Sequence, residues 1–157
     1  MFTLKAKTLI TKIAKTIKKS TEGKVDKMEI DRHRNYPAMK YFTYDEFSSP
    51  DLIDSGYRMD PVFLLMLERA REIAEVPFII NSGYRTSKHN KKVGGVVDSS
   101  HTKIPCRACD IKITNSRQRS TILRSLISAG FNRIGVAKNF IHVDNDTDKS
   151  PFVIWTY

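Results

Sequence analysis

Three residues of this chain, His101, Asp110 and His142, are of types that bind a metal ion. His101 closes a long polar stretch, Asp110 sits on the segment after it, and His142 falls on a late segment. Two imidazoles and one carboxylate give three protein ligands and leave a fourth zinc position for water. That is the composition of a catalytic rather than a structural zinc site. Zinc so held lowers the pKa of its water to about 7 and polarises a carbonyl. On spacing alone, each His also reads as an ordinary core or surface residue of a strand.

The elements that must position this trio are legible from caps and periodicity. Thr43, with Glu46 three residues later, starts a short helix. Asp60-Pro61 places an N-cap before a proline at the first helical position. The helix so begun carries Phe63, Leu64, Leu67, Ala70, Arg71 and Ala74 and stops at Val76-Pro77. Residues 78–81 form a short, buried, β-branched strand, and 108–113 alternate like a second. A helix is predicted over 116–128, with Ile122, Leu123, Leu126 and Ile127 inward and Gly130 as its stop. Strands follow over 133–137, 139–144 and 152–156. Residues 82–107 are polar, hold Gly83, Gly94 and Gly95, and read as a functional loop without secondary structure. The order predicts an α+β fold, a small and mainly antiparallel sheet with helices packed on one side.

Pro105-Cys106-Arg-Ala-Cys109 is half of a zinc deaminase signature. The other half, His-x-Glu, is missing, because His33, His89 and His101 are followed two residues on by Asn35, Lys91 and Lys103. Cys106 and Cys109 with His101 are a possible structural zinc set, and the pair alone a possible disulfide. The preferred reading is two free, partly buried thiols. Two Cys in 157 residues exclude a disulfide-dense scaffold.

The net charge of +10 is unevenly spread. Residues 1–24 hold seven Lys against one acid, Glu22, and so carry +6 of it. At 100° per residue, Phe2, Ala6, Leu9, Ile10, Ile13 and Ile17 share one face and Lys5, Lys12, Lys15, Lys18 and Lys19 the other. This basic amphipathic arm suits an anionic membrane surface. A helix docked on its own domain or a partner, or a frayed tail, fits the same pattern. Lys residues interrupt any secretory apolar core, and nothing in the arm reads bases, so neither a signal peptide nor specific nucleic-acid binding is expected. No apolar run is long enough for a transmembrane helix. Residues 20–36 read as a polar linker. This gives an arm and linker over 1–36 and a domain over 37–157, with folded structure starting near Tyr41.

Several short words occur in a telling order: Ser82-Gly-Tyr-Arg-Thr86, His89-Asn90, Val93-Gly-Gly95, Ser99-Ser-His101, Ala108-Cys-Asp110 and Phe140-Ile-His-Val-Asp144. Together, over about residues 40–145, they resemble the zinc D-alanyl-D-alanine carboxypeptidase family of peptidoglycan peptidases, which shares its fold with the hedgehog signalling domain. The resemblance implies zinc on His101, Asp110 and His142. It implies that Arg85 meets a substrate carboxylate or developing oxyanion, a role that suits a planar, permanently charged guanidinium. Ser99 matches the family's Ser before the ligand His and either hydrogen-bonds substrate or caps a turn.

Two departures stand out. The family pattern spaces the first His and the Asp by seven positions, whereas Asp110 is nine after His101, which puts two extra residues within Thr102–Arg107. Many members also carry Glu or Asp as general base three residues before the last zinc His, a position held here by Asn139. Asp144, on the same strand face as His142, is the nearest replacement as base or as holder of the zinc water, with support of His142 as the alternative. The implied function is a zinc metallopeptidase hydrolysing amide bonds in peptidoglycan stem peptides, as carboxypeptidase or endopeptidase. Such an enzyme works at the bacterial wall, and its size and charge suit a phage lysis enzyme. The alternative, motivated by Asn139, is a noncatalytic wall-binding or structural module that keeps the fold.

Overall fold

The computed structural model describes residues 36–157, so the amphipathic arm and the linker as far as residue 35 lie outside the described residues. The chain divides into two units, Met1–Ala38 and Met39–Tyr157, and the second holds every helix and strand of the described residues. A 3-10 turn at Tyr44–Phe47 opens it, with Glu46 accepting the Thr43 N–H at 2.7 Å. Helix α1 (Pro61–Ala74) starts where expected. Asp60 Oδ1 accepts the N–H groups of Val62 and Phe63 at 2.8 and 3.1 Å, satisfying donors that the first helical turn leaves open. The helix buries Phe63, Leu64, Leu67, Ala70 and Ala74, the stripe its 3.6-residue period places on one face.

Five strands follow the predicted order: β1 (Ile80–Ser82), β2 (Ala108–Lys112), β3 (Arg133–Val136), β4 (Phe140–Asp144) and β5 (Val153–Thr156). They form one sheet in the order β1-β2-β4-β3-β5, antiparallel throughout except that β5 runs parallel to β3. With α1 and α3 (Ser116–Ser128) the fold is α+β, as the sequence predicts. Phe63, Leu64 and Leu67 of α1 and Ile122 and Leu126 of α3 share one core with Cys109, Ile111, Ile134, Ile141 and Val143 of the sheet. Strand side chains alternate between faces, so Asp110, His142 and Asp144 are left on the opposite face.

Three local expectations need correction. The 82–107 stretch holds a short helix, α2 (Ser87–Lys92), and a 3-10 turn at Ser100–Thr102. Thr86 caps α2 by accepting the His89 N–H at 3.0 Å, and Gly94 follows at φ 75°. The first strand begins at Ile80 rather than 78, because Phe78 packs into the core beside Phe42 before the ladder starts. Ile127 is half exposed, since it lies 100° around α3 from the buried Leu126. Among the described residues, no helix is long and apolar enough to cross a membrane.

Candidate metal centre

The register of the sheet brings two of the predicted ligands together. Asp110 on β2 is the direct cross-strand partner of His142 on β4. His101 comes from the 3-10 turn, whose cap Ser99 accepts the His101 N–H at 3.3 Å. The turn is tied down by the Arg85 N–H, which donates to the His101 carbonyl at 2.8 Å. The longer loop after His101 still closes. The Cys106 N–H donates to the Arg58 carbonyl at 2.7 Å, and the Asp60 N–H to the Cys106 carbonyl at 2.8 Å.

All three side chains are buried, and their donor atoms converge. His142 Nδ1 lies 2.9 Å from Asp110 Oδ1 and 3.2 Å from His101 Nε2, and His101 Nε2 lies 3.3 Å from Asp110 Oδ1. Tetrahedral zinc with bonds of about 2.0–2.1 Å sets its donors about 3.3 Å apart. The outer nitrogens fix the tautomers. His101 Nδ1 sits 2.6 Å from the Gly83 carbonyl, an acceptor, so the proton is there and Nε2 offers its lone pair inward. His142 Nε2 sits 2.9 Å from Asp144 Oδ2, which leaves Nδ1 facing inward in the same way. The donor set therefore fits a zinc ion.

Gly83 is where the backbone needs glycine. A Cβ there would fall 2.6 Å from Phe47 Cα, where the Tyr84 N–H donates to the Phe47 carbonyl at 2.9 Å. Close approach of the two segments sets the carbonyl that aims His101.

The charges follow from these contacts. Burial opposes ionisation of Asp110, yet the two imidazoles beside it, His101 and His142, outweigh burial and hold the carboxyl well below the carboxylate range. Burial lowers His101. It also opposes the charged form of His142, but Asp110 and Asp144 raise that imidazole above its ordinary value. The convergence of two imidazoles and one carboxylate, with a donor atom of each within 4.8 Å of the others, is what suits the place to a cation.

The remaining predicted residues take distinct places. Arg85 donates through Nη2 to Asp110 Oδ2 and through Nε to Ser82 Oγ at 2.7 Å, and it lines the cleft beside the trio. Ser99 lines the same cleft and caps the His101 turn. Asp144 is almost wholly buried, with both oxygens engaged. Oδ2 meets His142, while Oδ1 accepts from Arg133 Nε at 2.7 Å and from the Asp146 N–H at 3.0 Å. Burial opposes its ionisation, and these bonds overcome that and lower its pKa. Asn139 is exposed in the turn before β4, where its carbonyl accepts the Ile113 N–H at 2.8 Å. Both cysteines are free and fully buried, and strand alternation puts Cys109 on the core face, away from His101.

The cleft encloses about 520 Å³. Its lining includes residues that sequence patterns do not single out: Arg133, which neutralises Asp144, and Trp155 and Tyr157 at the end of the chain. An Arg directly opposite Asp144 on β3 is a signal, but only once the register is known.

Behind the site, Asp146 accepts from Ser100 Oγ at 2.7 Å and from Lys103 Nζ at 2.9 Å, bracing the turn next to His101. Burial opposes its ionisation, but these bonds bring its pKa down to about 2, from 3.8 for an ordinary Asp. A depressed carboxyl stabilises the fold fully above its unfolded value, and the contribution is lost as pH falls through the folded value. Thermal melts between pH 7 and 2 should therefore show Asp146→Asn melting below the parent at pH 7, with the gap closing between about pH 4 and pH 2. A gap constant with pH would show that the charge of Asp146 plays no part.

The Peptidase M15 family profile matches residues 8–144, reaching further toward the N-terminus than the short words do. No curated protein matches the chain.

Proposed function

Because the chain belongs to the Peptidase M15 family, a family of metallopeptidases, we propose that it is a zinc-dependent peptidase hydrolysing amide bonds in peptidoglycan stem peptides, as D-Ala-D-Ala carboxypeptidase or endopeptidase. One observation carries the reading: three buried donors, 2.9 to 3.3 Å apart, point their lone pairs at one place. His101 Nε2, Asp110 Oδ1 and His142 Nδ1 hold the zinc. When bound there, zinc acidifies its water and polarises the scissile carbonyl.

The protein's own groups do the rest. Gly83 and Asp144 hold the outer protons of His101 and His142 and keep both rings aimed inward. Arg85 orients Asp110 through its second oxygen, and the part of its guanidinium on the cleft meets the substrate's carboxylate. Ser99 shapes the turn under His101. Asp144 acts through His142 as a positioning residue, since its side chain is 1% exposed and both of its oxygens are already engaged by neighbours. Residues 1–24, with their Lys-rich face, bring the domain to an anionic membrane surface; liposome binding that survives their deletion removes this part.

Digestion of purified muropeptides, followed by mass spectrometry, tests the function. Release of D-Ala, or cleavage of a cross-link, that stops with chelator and returns with zinc supports it. A second reading, a noncatalytic wall-binding module, is favoured by the lack of a carboxylate at Asn139. Sedimentation with intact wall but no cleavage products would select it.

A further inference from the structure

We propose that β5 completes the metal centre, with Trp155 as a positioning residue for His142 and, together with Tyr157, as a wall of the substrate cleft. The inference rests on the zinc site proposed above, and it concerns a strand that lies beyond the family-matched residues 8–144.

The sheet register places Asp110, His142, Gly135 and Trp155 in one row across β2, β4, β3 and β5. Directly paired residues share a face, so Trp155 stands on the site face two strands from His142. At strand spacings of about 4.8 Å, two strands separate backbones by about 9.6 Å. The rings are nevertheless only 5.6 Å apart, centroid to centroid, at 50°. The indole reaches His142 by lying over the strand between them, and only glycine leaves room for it. A Cβ on Gly135 would fall 2.7 Å from Trp155 Cε2 and 2.8 Å from Cζ2 and Nε1.

The two hydrogen-bonding directions of His142 lie in the plane of its ring, toward Asp144 and toward the other ligands. In-plane partners do not stop the ring from tilting; a flat neighbour does. Trp155 supplies that neighbour, and it also packs 5.5 Å from the guanidinium carbon of Arg133, the counter-ion of Asp144. It thereby touches both the ligand and the pair that orients the ligand. Tyr157 extends the aromatic surface, 6.4 Å from Trp155 and 5.2 Å from Phe140, and all three line the cleft. The wall presents aromatic faces to the apolar atoms of a bound peptide.

Trp155 is the chain's single tryptophan, so its emission reports on this site alone. The test is titration of the apoprotein with zinc and with cobalt, read by calorimetry and by tryptophan emission, on the parent, Trp155→Phe, Trp155→Leu and Gly135→Ala. The parent should bind one ion, with emission changing up to one equivalent and quenching by cobalt. Trp155→Leu and Gly135→Ala should bind zinc about 10–100-fold more weakly, the range seen when groups supporting a metal ligand are lost. Trp155→Phe, which keeps a flat ring, should recover most of the affinity. On a muropeptide, loss of the wall should raise KM as well. Should Trp155→Leu fail to fold, Gly135→Ala, which keeps the indole but displaces it, makes the same comparison. If the parent binds zinc and the variants bind it equally tightly with kcat and KM unchanged, the proposal is wrong and the metal centre stands. If calorimetry finds no zinc binding to the parent, the metal centre fails and Trp155 has no ligand to position.

Discussion

Replacing His142 with Ala is expected to abolish stoichiometric zinc binding and to lower muropeptide hydrolysis by at least about 10³-fold. The size follows from what leaves with the imidazole. A bound zinc supplies several kcal/mol of transition-state charge stabilisation, and about 4 kcal/mol corresponds to about 10³ in rate. With His142 gone, His101 Nε2 and Asp110 Oδ1 remain, 3.3 Å apart, and two ligands do not close a tetrahedral site. The fold should survive, because Asp144 keeps Arg133 as counter-ion and Ile141 and Val143 still fill the core face of β4. His101→Ala should behave alike, leaving the Gly83 carbonyl without its donor. His89 on α2 is the control, since it lies outside the cleft and its loss should change neither metal content nor rate. Metal analysis of the purified variants beside circular dichroism decides the matter. Zinc at one per chain in folded His142→Ala would remove His142 from the ligand set.

How far the sequence could reach is set by the range over which its signals act. Caps and helical periodicity are local, so Asp60-Pro61 and the apolar spacing of 122 and 126 placed α1 and α3. Strand alternation is local too, and it put His142 and Asp144 on one face of their strand. The six residues of α2 gave no such signal, because Ser87–Lys92 is polar all round and is held by the Thr86 cap instead. The contacts that finish the site are further removed. Arg133 meets Asp144 only through the β3–β4 register, and Trp155 meets His142 only because β5 pairs in parallel with β3. The Gly83 carbonyl meets His101 at a place where Phe47, far earlier in the chain, leaves room only for glycine. The three candidate ligands were therefore legible through their residue types and the short words around them, whereas the groups that orient them depend on pairings a linear pattern does not carry.

A pairing with a large consequence for stability is Arg133 with Asp144, the pair whose side chains are 10% and 1% exposed. Arg133→Leu should destabilise the fold by about 3–5 kcal/mol, the cost of leaving a buried charge without its partner. For a domain of this size that lowers Tm by about 10–20 °C. An exposed pair such as Arg69–Glu72, at 63% and 50% exposure, should cost no more than about 1 kcal/mol when broken, because water solvates both charges. The Asp144 side chain is 1% exposed, and that of Arg133 10%, so water cannot take the place of Arg133. If the loss is one of charge rather than of shape, removing the charge should restore stability. Arg133→Leu with Asp144→Asn should then melt above Arg133→Leu alone, a coupling that a double-mutant cycle measures. The single variant Asp144→Asn separates the two roles open to this carboxylate. Its amide oxygen still accepts the His142 Nε2 proton but cannot take one from water. A positioning role predicts zinc affinity or hydrolysis lowered by no more than about 10–100-fold. Full zinc occupancy with hydrolysis lost beyond that range would make Asp144 the base.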